Sequence, residues 1–155
     1  APVTMVGFSL GPRIMTGALH LLGGGSLNGR ALPEDALVAR RPIRNVIMAS
    51  ALHSNWLRPR AFHGRALSQV DHMLLLNNSC DPILQWYRFI SRCSNPEALG
   101  YRGLSCPNCT EEELSRITQR NVCCSVGRRH EYGPYLYSNT LMAATRRYVF
   151  WEPLD

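Results

Sequence analysis

The residues of this sequence that point most directly to chemistry are Gly7-Phe8-Ser9-Leu10-Gly11, in which a serine stands between two glycines. An apolar run precedes the segment, and residues with helical spacing follow it. A serine in a sharp turn between a strand and a helix occupies a strained conformation, which pushes its hydroxyl out above the sheet edge. Glycines two residues before and after let the backbones approach more closely than Cβ atoms would allow. The pattern predicts that the Ser9 hydroxyl is exposed above the edge of a sheet, where it could react.

The same turn gives Leu10 a predicted role. Its backbone amide would lie at the amino end of the following helix, where an N–H group can stabilise a developing oxyanion. The alternative for the whole segment is a glycine-flanked turn that carries an ordinary surface serine.

An acid and a histidine follow at positions that suit a serine nucleophile. Asp81 comes just after the apolar segment 70–76, and His130 comes just after the segment 121–126. Catalytic groups in open α/β sheets gather at the carboxyl ends of the strands, so Ser9, Asp81 and His130 are expected to meet on one rim. The alternative role of Asp81 is to cap a helix that begins at Pro82, and the two roles are compatible. His130 could instead be a solvated loop residue.

Other acids and histidines fit these positions less well. Asp71 lies at the opposite end of the segment that precedes Asp81. The remaining histidines lie on a helix, in loops before the acid, or within a strand: His20, His53, His63 and His72.

These candidates need a framework of strands and helices. Apolar or β-branched segments predict strands over residues 3–6, 43–52, 70–76 and 121–126. Helical spacing of Ile14, Ala18, Leu21 and Leu22 predicts a helix after Ser9 that ends at the glycines 23–25. Alternation of strands and helices predicts an α/β fold with a mostly parallel sheet and helices on both faces. We expect one domain over 1–155, with an irregular excursion over 93–118.

At this point the chain resembles the α/β-hydrolase superfamily, whose nucleophile elbow is G-x-S-x-G and whose triad follows in the order Ser, acid, His. The segment N-N-S-C-D-P-I-L is similar to a loop of poorly characterised hydrolases in that superfamily. The resemblance covers nearly the whole chain and implies a partial α/β-hydrolase fold that lacks the N-terminal strands.

The resemblance also implies the chemistry. Ser9 would attack a small-molecule acyl substrate (an ester, thioester or amide), His130 would take its proton, Asp81 would orient the imidazole, and Leu10 would supply one oxyanion donor. A second donor is expected from a loop after an earlier strand of the family's fold. Neither a cofactor nor a metal ion is implied. The alternative function is a catalytically inactive binding or scaffold protein with the same fold.

The first predicted strand begins almost at Ala1, and a sheet of four strands would leave an edge bare beside it. We therefore expect either a preceding segment or a partner chain to complete the sheet. The first residues do not have the pattern of a secretory signal.

Composition excludes several partners. The chain has 155 residues and a formal net charge of +6, but its 17 basic residues are all arginines scattered in ones and twos. Because they form no stripe interleaved with aromatic residues, we expect no nucleic-acid partner. No apolar run approaches the ~18 residues of a membrane span.

Six cysteines are grouped late in the chain. Cys106 and Cys109 form a C-x-x-C pair, and Cys123 and Cys124 follow as neighbours, so four thiolates could close a structural zinc site. Neighbouring side chains on a strand point to opposite faces, which disfavours that site. Disulfides, or buried cysteines on the last strand, fit the pattern better.

Overall fold

The computed structural model describes residues 1–37, 41–89 and 96–154. Its strands are β1 (Val3–Phe8), β2 (Ser26–Leu27), β3 (Arg30–Ala31), β4 (Ile43–Met48), β5 (His72–Asn77) and β6 (Ile117–Asn121). Its helices are α1 (Gly11–Leu22), α2 (Pro82–Gln85), α3 (Leu99–Arg102), α4 (Glu111–Ser115), α5 (Cys123–Val126), α6 (Gly133–Tyr137) and α7 (Asn139–Val149). Short 3-10 turns lie at Glu34–Ala36, Leu67–Gln69 and Trp86–Phe89.

A parallel sheet with the strand order β1-β4-β5-β6 forms the centre of the protein, and β2 and β3 pair as a separate antiparallel ribbon. Side chains of β4 and β5 alternate between two cores, as the pleat of a strand requires. Val46, Met48, Leu74 and Leu76 belong to the core that includes residues of α6 and α7, whereas Ile43, Ile47, Met73 and Leu75 belong to the core that includes Leu19 of α1. Both faces of the sheet are covered, which confirms the predicted α/β class.

The two central strands carry most of this burial. All six residues of β4 are buried, and so are five of the six residues of β5. Burying one leucine, isoleucine or methionine side chain stabilises a fold by about 1.5–3 kcal/mol. The central strands therefore form a rigid base for the loops that follow their carboxyl ends.

Strand β1 is the edge of the sheet, and it is less buried than its apolar sequence predicts. Within the described residues it pairs with β4 alone. Val3 is 41% exposed and Val6 is 42% exposed. On one face the hydroxyl of Thr4 donates to the Tyr148 carbonyl at 3.0 Å and accepts from the Trp151 indole N–H at 3.0 Å.

Helix α1 begins and ends where its sequence predicts, but the predicted apolar face is wrong at two of its four residues. Pro12 lies in its first turn, and the Gly23 N–H closes its end on the Leu19 carbonyl at 2.9 Å. Ile14 and Ala18 are exposed, whereas Thr16 is buried. The polar side chain of Thr16 is tolerated inside because it has hydrogen-bond partners there, as described below.

The fourth strand lies earlier than predicted. Residues 117–121 form β6, and residues 123–126 of the predicted strand form the single turn α5. Four of the five residues of β6 are exposed, so this edge strand lacks the apolar pattern that marked the other three. The Asn121 side-chain oxygen accepts from the Cys123 N–H at 3.1 Å and starts the helical turn. Helices α3 and α4 also lie within the segment 93–118, of which residues 93–95 are outside the described ranges.

Candidate active site

Ser9 lies in a tight turn between β1 and α1, with a backbone φ of 54°. This left-handed conformation is uncommon for a residue with a side chain. The turn is fixed to the neighbouring strand, since the Ser9 N–H donates to the Met48 carbonyl at 3.1 Å and the Ala51 N–H donates to the Ser9 carbonyl at 2.7 Å. Ser9 is therefore held in its strained conformation by the segment that extends from β4.

The two glycines of the motif play different roles. A Cβ atom on Gly7 would overlap the Met15 sulfur and would stand 3.1 Å from two atoms of Pro12. A Cβ atom on Gly11 would meet nothing within 4 Å. The sequence-based expectation that both glycines permit a close backbone approach is thus correct for Gly7 and wrong for Gly11.

The structure brings Ser9, His130 and Asp81 together in one chain of hydrogen bonds. Ser9 Oγ lies 2.9 Å from His130 Nε2, and His130 Nδ1 lies 2.6 Å from Asp81 Oδ2. A carboxylate only accepts hydrogen bonds, so Nδ1 carries the imidazole proton and Nε2 is free to accept from the serine hydroxyl. That order of donors is the one in which an imidazole can remove a proton from serine.

Asp81 accepts hydrogen bonds from the start of α2 and from His130 at the same time. It is fully buried. Its Oδ1 accepts from the N–H groups of Ile83 and Leu84 at 2.9 and 3.0 Å and so caps α2, while its Oδ2 accepts from His130. The helix-cap role and the role beside the histidine, which the sequence left as compatible alternatives, coexist in the structure.

Tyr135 is an ionisable group near enough to Asp81 to be affected by its charge. It is fully buried. Burial, and secondly the negative charge of Asp81, raise the pKa of Tyr135 above its ordinary value of 10.0. The phenol therefore stays neutral and adds no second negative charge beside the carboxylate.

The loop that carries His130 is fastened to the loop that carries Asp81. Asn78 donates from its side-chain nitrogen to the Gly127 carbonyl at 2.8 Å, and a disulfide joins Cys80 to Cys123. The imidazole also packs against the Phe8 ring, with 5.2 Å between the ring centroids. These contacts limit the positions that the histidine can adopt.

Leu10 stands at the amino end of α1, with its own backbone in the helical region. The first N–H groups of a helix have no intrahelical acceptor, so the Leu10 N–H is free to bind a negative oxygen beside Ser9. Its side chain is 59% exposed and leaves this end of the helix open to solvent. The geometry is compatible with the predicted donor role.

A second contact between a hydroxyl and an imidazole was not foreseen from the sequence. Thr16 Oγ1 lies 2.7 Å from His63 Nδ1 and also donates to the Pro12 carbonyl at 2.7 Å. Burial, and then the charges of His20 and Arg13, lower the pKa of His63 from its ordinary 6.5 to about 4. No carboxylate in the described ranges contacts either His63 ring nitrogen. The two residues are 47 positions apart, and no spacing rule links them.

The cysteines pair as disulfides within the described part of the chain. Cys106 is joined to Cys109 and Cys80 to Cys123, while the thiol of Cys124 is exposed. Cys93 lies outside the described residues. The four thiolates that a zinc site would need are thus divided between two bonds and one separate thiol. In the described ranges no group of three or more His, Cys, Asp or Glu residues could hold a metal ion.

None of the helices in the described ranges is both long and apolar enough to cross a bilayer.

Comparisons of the chain with protein-family models, with curated proteins and with solved structures found no match.

Proposed function

We propose that this protein is a serine hydrolase of the α/β-hydrolase type, which cleaves the acyl bond of a small-molecule ester, thioester or amide. The proposal rests on one observation above all, the unbroken hydrogen-bond chain from Ser9 through His130 to Asp81. The left-handed turn at Ser9 supports it, because a strained turn between strand and helix is what exposes a serine nucleophile in this type of enzyme.

The first half of the reaction forms a covalent intermediate. Ser9 Oγ attacks the carbonyl carbon of the substrate while His130 Nε2 takes the serine proton. Negative charge develops on the carbonyl oxygen, which the Leu10 N–H binds. The imidazolium then gives its proton to the leaving group as the acyl bond breaks, and an acyl group remains on Ser9.

The second half releases the acid. His130 takes a proton from water, the resulting hydroxide attacks the acyl carbon, and Ser9 leaves with the proton that the imidazolium returns. Asp81 keeps its hydrogen bond with His130 Nδ1 throughout. It holds the imidazole in the required tautomer and stabilises the transient positive charge, and its burial strengthens that interaction because little water screens it.

A non-catalytic binding role is the second candidate. It is favoured by the oxyanion site, where the motif supplies one donor, the Leu10 amide, and where one missing donor costs about 10²–10³ in rate.

For the hydrolase, we infer that a second donor comes from a chain segment or a partner that pairs with the open edge of β1.

Labelling with a neutral fluorophosphonate distinguishes the two candidates. We expect the protein to be labelled at Ser9, labelling to be lost in Ser9→Ala, and labelling to fall at least 100-fold in His130→Ala. Thr16→Val is the matched control, since it removes the other hydroxyl that contacts an imidazole, and it should be labelled like the wild type. A folded wild-type protein that is not labelled would rule out the hydrolase.

A further inference from the structure

Arg13 is a cation on the same rim as Ser9, and the sequence analysis assigned it no role. It lies one helical turn after Ser9, and helix side chains lean toward the amino end of their helix. Its Nη2 donates to the Tyr87 hydroxyl at 2.7 Å, and its guanidinium carbon lies 5.0 Å from the centre of the Trp56 ring. Trp56 follows β4 and Tyr87 follows β5, so these contacts hold the guanidinium beside the carboxyl ends of the strands.

Within the part of the chain that the structure describes, the charge of Arg13 has no protein counter-ion. Among the described residues no carboxylate oxygen lies within 4.0 Å of its guanidinium, and its Nε is buried without a hydrogen-bond partner. Two acids on neighbouring segments are already engaged, since Asp81 binds His130 and Glu97 binds Arg102 at 3.5 Å. A partly buried guanidinium with unused donors and no anion is costly to maintain, unless a ligand supplies the anion.

Aromatic rings fix this cation in place. The His53 ring stacks on Trp56 with 4.4 Å between centroids and meets the edge of Tyr87 at 5.6 Å. Burial, and then the charge of Arg13, lower the pKa of His53, which leaves Arg13 as the cation of the cluster near neutral pH. The same segment is attached to the nucleophile, because the Ala51 N–H binds the Ser9 carbonyl at 2.7 Å.

The side of the substrate that Arg13 faces follows from the proposed mechanism. The leaving group must depart next to His130, which gives it a proton, and the His130 ring packs against Phe8 of β1. The contacts of Arg13 are instead with the segments after β4 and after the acid. Arg13 and His130 thus contact different side chains, and we assign a group bound by Arg13 to the acyl part of the substrate.

We propose that Arg13 binds a carboxylate on the acyl chain, so that the preferred substrates are monoesters of short dicarboxylic acids. This inference rests on the proposed hydrolase function. Arg13 stands four residues after Ser9, about one turn of helix, so short acyl chains with roughly two to four carbons between the ester carbonyl and the carboxylate are the ones to test. The planar guanidinium suits a carboxylate because it offers paired N–H donors.

Two esters with the same leaving group test the proposal. 4-Nitrophenyl hemisuccinate and 4-nitrophenyl butyrate have acyl chains of equal length and differ in the terminal carboxylate. We expect the wild-type kcat/KM to favour the hemisuccinate at least tenfold. Arg13→Gln should lower kcat/KM for the hemisuccinate at least tenfold more than for the butyrate, mainly through KM, and Arg13→Lys should retain part of the preference.

Arg88→Gln is the matched control, since Arg88 is exposed, stacks on Phe89 and follows Tyr87 directly. It removes the same charge and should leave the preference unchanged. A wild type without the preference, or an Arg13→Gln variant that slows both esters equally, would overturn the proposal.

A third measurement needs no variant. Free succinate should slow labelling of wild-type Ser9 by a neutral fluorophosphonate, whereas butyrate at equal concentration should not. Absence of labelling altogether contradicts the hydrolase function itself. Normal labelling that succinate does not slow contradicts the role of Arg13 and leaves the hydrolase function standing.

Discussion

The protein contains two contacts between a hydroxyl and an imidazole, Ser9 with His130 at 2.9 Å and Thr16 with His63 at 2.7 Å. The distances are similar, but the hydroxyl protons have different partners. Thr16 donates to the Pro12 carbonyl four residues earlier in its own helix, whereas Ser9, in its left-handed turn, faces the imidazole. Proximity to an imidazole therefore does not by itself make a hydroxyl a nucleophile.

The second difference lies on the far side of each imidazole. His130 donates to the buried carboxylate of Asp81, which can stabilise an imidazolium. For His63, burial and then its neighbours His20 and Arg13 lower the pKa, which keeps the imidazole neutral near pH 7. The Ser9 pair can hold an extra proton on its imidazole, as the proposed mechanism requires, and the Thr16 pair is suited to hold helix α1 to the segment after β4.

The largest expected effect comes from removing the carboxylate that distinguishes the pairs. Asp81→Asn should lower kcat by about 10³–10⁴-fold, because the amide cannot stabilise the imidazolium or impose the tautomer. The Asn oxygen can still cap α2, so thermal unfolding should change little. His63→Asn, measured in parallel by ester hydrolysis, should keep kcat within about threefold of wild type. Equal losses in both variants would remove the distinction between the pairs.

The disulfide beside the Ser9 pair offers the next test. Cys80→Ser with Cys123→Ser should lower the free energy of unfolding by about 4 kcal/mol for the 43-residue separation. The rate should fall as well, because the loops of Asp81 and His130 lose a link. Cys106→Ser with Cys109→Ser opens a loop of only 3 residues and should cost about 2 kcal/mol, with kcat unchanged.

Denaturant unfolding and ester hydrolysis on the same samples measure both effects. A rate that falls equally in the two double variants would mean that the Cys80–Cys123 bond has no particular role in positioning the histidine.

Acid titration addresses the Thr16 pair. The pKa of His63 is about 4 in the folded protein, below its ordinary 6.5, so between these pH values the unfolded chain binds a proton that the folded protein does not. The free energy of unfolding is therefore highest, as far as His63 is concerned, above pH 6.5. It falls by up to about 3 kcal/mol as the pH is lowered toward 4.

His63→Asn should flatten this part of the stability profile relative to the wild type, as measured by denaturant unfolding at a series of pH values. Parallel profiles for the two proteins would contradict the lowered pKa.

The smallest expected effect comes from changing the turn at Ser9. This left-handed turn distinguishes the Ser9 hydroxyl from that of Thr16, which lies within a helix. Gly7→Ala should destabilise the protein by about 1–3 kcal/mol, since its Cβ meets Met15 and Pro12. It should also slow labelling of Ser9. Gly11→Ala meets open space and should leave both quantities unchanged within about 0.5 kcal/mol. A rate loss in Gly11→Ala as large as in Gly7→Ala would show that the motif acts in some other way.

The sequence predicted the α/β class because apolar strand-like segments alternate with helical ones, which implies parallel pairing and a sheet covered on both faces. It placed Ser9, Asp81 and His130 on one rim because each follows a strand in a fold where carboxyl ends coincide. The sequence could not predict the distances between these side chains, because the distances depend on side-chain packing.

The failures have a common physical cause. Strand β6 is an exposed edge, so its residues show no apolar alternation, and the β-branched and cysteine residues after it were mistaken for the strand. The Thr16–His63 pair and the Arg13 cluster join segments far apart in the chain through side-chain contacts. No local periodicity encodes such contacts.

Asp81 accepts hydrogen bonds from α2 and from His130, and this limits how the loop between β5 and α2 can change. One oxygen fixes where α2 starts and the other fixes the ring of His130, so a shift of the helix is transmitted to the imidazole. Glutamate, longer by one methylene, could reach one of these partners but not both in the same pose. Insertions or deletions between β5 and α2 must therefore preserve both hydrogen bonds of Asp81, so this connection tolerates little change in length.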